Sequence, residues 1–131
     1  RIQEEENLTP MLKIFRIIPV AKPRQVASDR WRKRPCVLRY RAFADEMRLQ
    51  ADGWELPDSF HVKFIIPMPS SWSKKKKLQK KATPHQQRPD LDNFIKSFDC
   101  LREEDSSIWK ISAEKVWGEE GMILIEDWQD G

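Results

Sequence analysis

The spacing of hydrophobic residues predicts strands near both ends of the chain and one strand in its middle. Residues 12–18 and 60–66 are short runs rich in β-branched and aromatic residues, and each is followed by proline, which is typical of a strand end. Residues 108–117 and 122–126 have the same character and are separated by a turn bounded by glycines. These last two segments therefore predict a closing hairpin.

Two further segments show the periodicity of helices. Residues 37–51 place apolar side chains along one side of a helix, which Asp52 and Gly53 end. Between residues 91 and 101, apolar residues recur at steps of three and four, which predicts a helix with one buried face. That face consists of Leu91, Phe94, Ile95, Phe98 and Leu101. Together the pattern predicts an α+β domain with a small mixed sheet and two principal helices.

The remaining segments complete the domain organisation. Residues 70–87 are polar and rich in lysine, without a hydrophobic period, which predicts a mobile loop or a poorly packed turn of helix. The length of 131 residues fits one compact domain, which we assign to residues 11–131. The acidic segment 1–10 has no periodic pattern and is interpreted as a leader that is either artificial or disordered.

The distribution of charge is more informative than its sum. The formal net charge is only +3, from 24 Lys and Arg against 21 Asp and Glu. Basic residues are nevertheless concentrated in residues 22–41 and 74–88, whereas most acids lie elsewhere. Such segregation is typical of a surface that contacts the phosphate backbone of DNA. The candidate DNA-binding residues in these stretches are Lys22, Arg24, Arg30, Arg32, Lys33, Arg34, Lys74, Lys75, Lys76, Lys77 and Arg88.

No feature of the sequence points to a membrane or to an oxidising compartment. Cys36 and Cys100 are the only cysteines, and neither has the spacing of a metal ligand. We expect both to stay reduced because no secretory context calls for a disulfide. No long apolar run is present, so we expect a soluble, cytoplasmic protein without membrane contact.

The candidate catalytic residues lie at the start of the second predicted helix. Pro89 disfavours a helical backbone just upstream, which makes Asp90 a natural N-cap and places Asp92 in the first turn. Both carboxylates can then converge on one point. Mg²⁺ prefers oxygen ligands and commonly takes one or two carboxylates together with water and phosphate oxygens. Lys96 follows one turn later, where it can pair with Asp92 or reach a phosphate oxygen.

The same residues also have a purely structural interpretation. An aspartate at a helix start is commonly a cap that complements the helix dipole, and an Asp–Lys pair one turn apart is commonly a weak surface ion pair. The acidic cluster at residues 103–105 lies about two or three turns further along, so it joins the site only if the chain folds back. Periodicity does not decide between these interpretations.

Aromatic and imidazole side chains within the basic stretches are further candidates. Trp31 and Trp72 are interpreted as core or interface anchors, with stacking on unpaired bases as the alternative. His85 lies among basic residues near the acids. We predict that it occupies an exposed loop position rather than a phosphate contact.

The order of these residues resembles the signature of the RusA family of Holliday junction resolvases, in particular that of its phage-type members. The motif D-L-D-N-L-x-K is matched by Asp90-Leu91-Asp92-Asn93 followed by Lys96, and an acidic pair before Ser106 matches a later part of the signature. Weaker matches lie in the basic loop at residues 19–24 and in Lys115. The resemblance covers most of the chain after Met11.

The resemblance implies an α+β fold that works as a homodimer on four-way or branched DNA. It implies a Mg²⁺ site, with Mn²⁺ as a substitute, formed by Asp90, Asp92 and Asp105, and a lysine required for cleavage at Lys96. It also places Lys115 among the DNA-binding residues. The activity implied is that of a crossover junction endodeoxyribonuclease, which resolves Holliday junctions by paired symmetric nicks in DNA recombination and repair.

Two departures from the family pattern affect the candidate site. Asp99 arrives one residue early relative to the family's helix, which indicates a one-residue deletion. Glu104 replaces the first aspartate of the acidic pair, which leaves Asp105 as the expected ligand and Glu104 as a neighbour of the ligands.

Two rival functions share most of these features. The first is a non-catalytic module that binds branched DNA, in which the acids only cap a helix. The second is a metal-dependent nuclease that acts on single-stranded, flap or RNA substrates without a preference for junctions. Cleavage that depends on Mg²⁺ separates the first rival from a nuclease, and paired nicks at a junction separate the second.

Overall fold

The computed structural model describes residues 12–23, 34–102 and 106–127. Strands and helices succeed one another along these segments, and residues 97–100 add a short 3-10 turn at the end of the last helix. The predicted leader at residues 1–10 lies outside the described residues. The elements are β1 (Leu12–Phe15), α1 (Pro35–Ala51), β2 (Ser59–Pro67), α2 (Lys74–Lys80), α3 (Leu91–Lys96), β3 (Lys110–Gly118) and β4 (Met122–Asp127).

The strands form one mixed sheet in the order β1-β4-β2-β3. β4 is antiparallel to both of its neighbours, and β2 and β3 are parallel. β2 is a central strand, and its apolar residues Phe60, Val62 and Phe64 are buried on one face of the sheet. The predicted α+β fold with a small mixed sheet is confirmed.

The predicted closing hairpin is wrong in its pairing. β3 and β4 are both strands, but each pairs with β2, on opposite sides of it. The short turn between β3 and β4 therefore crosses the end of β2 and does not join two strands that are paired with each other. Gly118 and Gly121 permit this path, because a Cβ at Gly118 would collide with Ile65 and one at Gly121 would lie 2.5 Å from the Cα of Ile18.

Helix α1 covers one end of the core and ends where the sequence predicts. Pro35 stands at its first turn, where a missing N–H is tolerated. Asp52 adopts the left-handed conformation with φ 44° and donates its N–H to the carbonyl of Arg48, which ends the helix. Phe43 and Met47 on the inner side are buried in the core.

Helix α3 is shorter than predicted, but its apolar face is placed as predicted. The α-helix ends at Lys96 and continues as a 3-10 turn, where the hydroxyl of Ser97 donates to the carbonyl of Phe94 at 2.5 Å. The rings of Phe94 and Phe98 stack on Phe64 of β2, with centroid separations of 5.3 and 5.5 Å. These contacts hold α3 against the sheet and thereby position its acidic start.

The lysine-rich segment contains a short, exposed helix. The hydroxyl of Ser73 accepts the N–H of Lys76 at 3.2 Å and so caps α2. No residue of α2 is buried. Of the two predicted alternatives for residues 70–87, the poorly packed turn of helix is therefore observed at residues 74–80.

Candidate active site

Asp90 and Asp92 lie together at the start of α3, as predicted. Asp90 is the N-cap, and its backbone carbonyl accepts the N–H of Asn93 at 3.1 Å. Its side chain makes no capping hydrogen bond, and Asp92 is exposed in the first turn. Of the purely structural interpretation, the capping hydrogen bond to the Asp90 carboxylate is absent, whereas the exposed Asp92–Lys96 ion pair is present.

Lys96 pairs with Asp92 one turn along the same helix. The ammonium nitrogen lies 3.6 Å from a carboxylate oxygen, and the two side chains are 64% and 67% exposed. An ion pair this open to solvent contributes little to stability, on the order of a few tenths of a kcal/mol. Lys96 can therefore exchange Asp92 for another anion, such as a phosphate group, at small free-energy cost.

The donor set at this helix start fits a hard cation. Two exposed carboxylates supply oxygen ligands, which is a number that Mg²⁺ commonly takes from a protein. Within residues 12–23, 34–102 and 106–127, no group of three or more His, Cys, Asp or Glu side chains is arranged to hold a metal ion. The predicted third ligand, Asp105, and its neighbour Glu104 lie outside the described residues.

The chain that leads into Asp90 runs along the free edge of β3. The backbone of residues 82–85 exchanges hydrogen bonds with β3: Ala82 donates to Trp117 at 2.9 Å, Trp117 to Thr83 at 3.0 Å and His85 to Lys115 at 3.0 Å. Further along, the ammonium of Lys115 donates to two backbone carbonyls, at residues 87 and 89. The basic segment before the acids is thus attached to the sheet.

His85 is buried, which contradicts the prediction of an exposed loop position. Its side chain is 4% exposed, and its ring lies 4.4 Å from the ring of Trp117. The Nδ1 atom is buried and has no hydrogen-bond partner among the described residues. Burial, followed by the nearby charge of Lys115, lowers the pKa of His85. The imidazole is therefore held neutral, and it packs as an aromatic ring.

Lys22 lies in the loop after β1, which is held against α3 and the 3-10 turn that follows it. Its ammonium forms an ion pair with Asp99, and its backbone N–H donates to the carbonyl of Asn93 at 3.0 Å. Tyr40 of α1 donates its hydroxyl to the other oxygen of Asp99. Burial, together with this hydrogen bond, raises the pKa of Tyr40, so the phenol remains protonated as the donor.

Sequence periodicity gives no sign of this Lys22–Asp99–Tyr40 cluster. The three residues come from a loop, a 3-10 turn and a helix that are distant in sequence. The one signal in the sequence is the position of Asp99, which departs from the family pattern.

The other predicted DNA-binding residues fall into three groups. The lysines of α2 project from a helix without buried residues, and Arg88 is exposed in the segment before Asp90. Arg34 is the residue before α1, where its carbonyl accepts the N–H of Val37 at 3.0 Å. The residues outside the described segments are Arg24, Arg30, Arg32 and Lys33, together with Trp31.

Trp72 packs between α2 and the sheet. Its ring lies 4.8 Å from that of Trp117, and the ammonium of Lys76 lies 4.3 Å from its centroid. The sequence-based alternative, in which Trp72 stacks on unpaired bases, stays a prediction.

A groove of about 860 Å³ lies beside the candidate site. Its polar wall includes Asn93, Lys96 and Asp99, and its apolar wall includes Phe60 and Ile111. The groove is therefore lined by Lys96 and by Asn93, the residue after Asp92.

The chain is a small α+β domain in which exposed acids at a helix start follow a segment rich in lysine. Comparison with known families gives a more specific assignment: residues 17–126 match the family model described as endodeoxyribonuclease RusA. This match covers most of the chain, and the protein belongs to the RusA family of endodeoxyribonucleases. No curated protein and no solved structure matches the chain. Among the described residues, no helix is both long enough and apolar enough to cross a membrane.

Proposed function

We propose that this protein is a Mg²⁺-dependent endonuclease that resolves Holliday junctions and other branched DNA by paired symmetric nicks. One observation carries the proposal: in a chain of the RusA family, the N-cap Asp90 makes no capping hydrogen bond with its side chain, and Asp92 is exposed beside it. Mn²⁺ is expected to substitute for Mg²⁺. The expected setting is the cytoplasm of a bacterial or phage-infected cell.

The residues of the site have separate roles in cleavage. Asp90 and Asp92, with Asp105 as the third expected ligand, would hold the metal ion. When bound, Mg²⁺ supplies Lewis-acid polarisation of a phosphate oxygen and lowers the pKa of a water molecule. Lys96, beside Asp92, stabilises negative charge that develops on the phosphate oxygens as the bond to the attacking oxygen forms.

DNA binding is assigned to the basic residues around this site. The exposed lysines of α2 and Arg88 are close in sequence to the acids and are available to phosphate groups. Lys22 is assigned more to orienting the loop on α3 than to contact with DNA, because its ammonium already pairs with Asp99. Phosphate contacts of this kind set register and orientation, and they make affinity strongly dependent on salt.

A homodimer is part of the proposal. Paired nicks at symmetric positions of a four-way junction require two active sites related by a two-fold axis, which a dimer with one isologous interface provides. The two rival functions, a non-catalytic branched-DNA module and a nuclease of single-stranded or flap substrates, remain as alternative outcomes of the test.

The test is cleavage of a synthetic four-way junction in Mg²⁺ by the parent protein and by Asp92→Asn. The matched control is Asp45→Asn, an exposed aspartate on α1 that pairs only loosely with Arg48, at 3.3 Å. We expect paired nicks from the parent and from Asp45→Asn, and a loss of cleavage of about a hundredfold or more in Asp92→Asn.

Each rival function predicts a different result. Tight junction binding without cleavage by the parent protein would support the non-catalytic module. Equal cleavage of a linear duplex, a flap and the junction would support the less selective nuclease, and cleavage that survives in Asp92→Asn would place the metal elsewhere.

A further inference from the structure

The side chain of Lys115 binds the backbone immediately before Asp90. Its ammonium donates to the carbonyl of Gln87 at 2.6 Å and to the carbonyl of Pro89 at 2.7 Å. These two carbonyls flank Arg88, and Pro89 is the residue next to Asp90. A single side chain on β3 therefore bridges both ends of a short segment that leads directly to the candidate metal ligand.

This contact is stronger than an ordinary surface hydrogen bond. Hydrogen bonds from an ionised donor are shorter and about twice as strong as neutral ones, and both distances here are at the short end of the range. The backbone carbonyl of Lys115 also accepts the N–H of His85 at 3.0 Å. Lys115 thus holds the segment with its main chain and its side chain.

Asp90 is consequently fixed from both sides. On the helix side, its carbonyl accepts the N–H of Asn93 at 3.1 Å. On the other side, Lys115 fixes the carbonyl of Pro89. A metal ligand held in this way needs less ordering when the cation binds, and partners that orient ligands typically change metal affinity by about 10- to 100-fold.

We propose that Lys115 is a positioning residue for the metal site, which acts through the backbone of residues 87–89 and not by contact with DNA. The inference rests on the proposed function, since it assumes that Asp90 binds the metal. An ammonium group has three donors, and the two carbonyls occupy two of them. A phosphate group would have to compete with both carbonyls, which disfavours the DNA-binding role that the family resemblance implied for Lys115.

The test compares Lys115→Met with Lys63→Met, a matched change on the adjacent strand β2. Lys63 lies 3.8 Å from the carboxylate of Glu114, so its loss leaves the segment before Asp90 untouched. Three quantities are measured for each variant: Mn²⁺ affinity without DNA, from the electron paramagnetic resonance signal of free Mn²⁺; junction affinity without divalent metal at several salt concentrations; and the Mg²⁺ dependence of cleavage. Thermal unfolding establishes that each variant is folded.

We expect Lys115→Met to weaken Mn²⁺ binding about 10- to 100-fold. The Mg²⁺ concentration for half-maximal cleavage rises by a similar factor, while the rate at saturating Mg²⁺ stays within about threefold of the parent. The dependence of junction affinity on salt is unchanged. A general loss of structure would instead lower the maximal rate without moving the Mg²⁺ requirement.

Two results would overturn the inference while leaving the proposed function in place. In the first, Mn²⁺ affinity is unchanged and the salt slope of junction binding falls by about one, which identifies Lys115 as a phosphate contact. In the second, Lys115→Met behaves as Lys63→Met in all three measurements.

The proposed function is tested separately in the same experiment by Asp90→Asn. If the parent protein binds Mn²⁺ and Asp90→Asn does not, the metal site is where we place it, and the result for Lys115→Met decides the inference. If the parent and Asp90→Asn bind Mn²⁺ equally, the proposed metal site is wrong and the inference falls with it.

Discussion

At the scale of single residues, Asp90 differs from two other aspartates of the chain in the contacts of its carboxylate. Asp58 accepts a hydrogen bond from Arg102 at 2.9 Å, and this contact lowers the pKa of Asp58. Asp99 is held in its cluster by Lys22. Asp90, by contrast, makes no capping hydrogen bond although it occupies the N-cap. This difference supports the proposed metal site at the start of α3 over these other acids.

The role of Lys96 leads to a prediction about rate without a change in stability. Its pair with Asp92 is exposed and long, so Lys96→Met is expected to alter the free energy of unfolding by no more than about 0.5 kcal/mol. Because the proposed mechanism sets this ammonium against charge that develops on the phosphate, the maximal rate of junction cleavage is expected to fall about 100- to 1,000-fold.

Single-turnover cleavage and chemical denaturation of the same preparations measure these two effects. Lys63→Met, on β2 and outside the site and the basic segments, is the control, and it is expected to keep the parent rate. An equal loss of rate in both variants would show that the effect of Lys96 comes from overall charge.

At the scale of elements, the local sequence pattern predicts where helices and strands end, because those ends are determined by local interactions. The ends of β2 and of α1 follow from proline, Asp52 and apolar periodicity, all of which act within a few residues. The pairing of β3 and β4 does not follow from local residues. Both strands pair with β2, which is buried on one face and lies some fifty residues earlier. A short glycine-bounded turn resembles a hairpin in sequence whichever partner its strands take.

The candidate site shows the same division. The acids and Lys96 were predicted because they lie within two turns of one helix. The contacts that support them were not, since they join distant parts of the chain: Lys22 to Asp99, and Lys115 to the carbonyls before Asp90. The charge pattern predicts DNA binding for Lys22 and the family resemblance implies it for Lys115, because neither indication shows the partners of these lysines in the fold.

The packing of His85 on β3 makes the segment before the acids sensitive to acid. The pKa of His85 is lowered from its ordinary value of 6.5, chiefly by burial, so the unfolded chain binds a proton more readily than the folded one. The stability gained by burying His85 in its neutral form is fully present above pH 6.5. It is lost as the pH falls below 6.5 toward the pKa of His85 in the folded state. Thermal unfolding should therefore show a loss of stability on acidification in this range.

The variant His85→Phe tests this assignment, because phenylalanine retains the aromatic contact with Trp117 and does not titrate. We expect the unfolding temperature of this variant to change less between pH 7.5 and pH 5.5 than that of the parent. These two pH values lie about one unit on either side of the ordinary pKa of histidine. His61→Gln is the control, since His61 is half-buried beside Glu114. An identical pH dependence in the parent and in His85→Phe would assign the acid sensitivity to other groups.

At the scale of the whole molecule, the fold separates a buried aromatic core from a highly charged surface. The core is formed by the inner face of the sheet together with α1 and α3, where Phe64, Phe94 and Phe98 stack. Charged residues make up 34% of the chain, and the lysines of α2 have no role in that core. This separation allows the basic surface to change without loss of the fold.

Substitution of three exposed lysines of α2 therefore tests the DNA-binding assignment directly. For Lys74→Gln, Lys75→Gln and Lys76→Gln combined, we expect weaker junction binding and a shallower plot of log affinity against log salt. Each lost phosphate contact lowers the slope by about 0.9, so three contacts lower it by nearly three. The cleavage rate at saturating protein should stay near that of the parent, since no residue of α2 is placed in the metal site. Lys63→Gln, which removes a single charge from β2, should leave the slope unchanged. A fall of about 0.9 in this variant, the same per charge as in the triple variant, would mean that net charge, and not the surface of α2, determines DNA affinity.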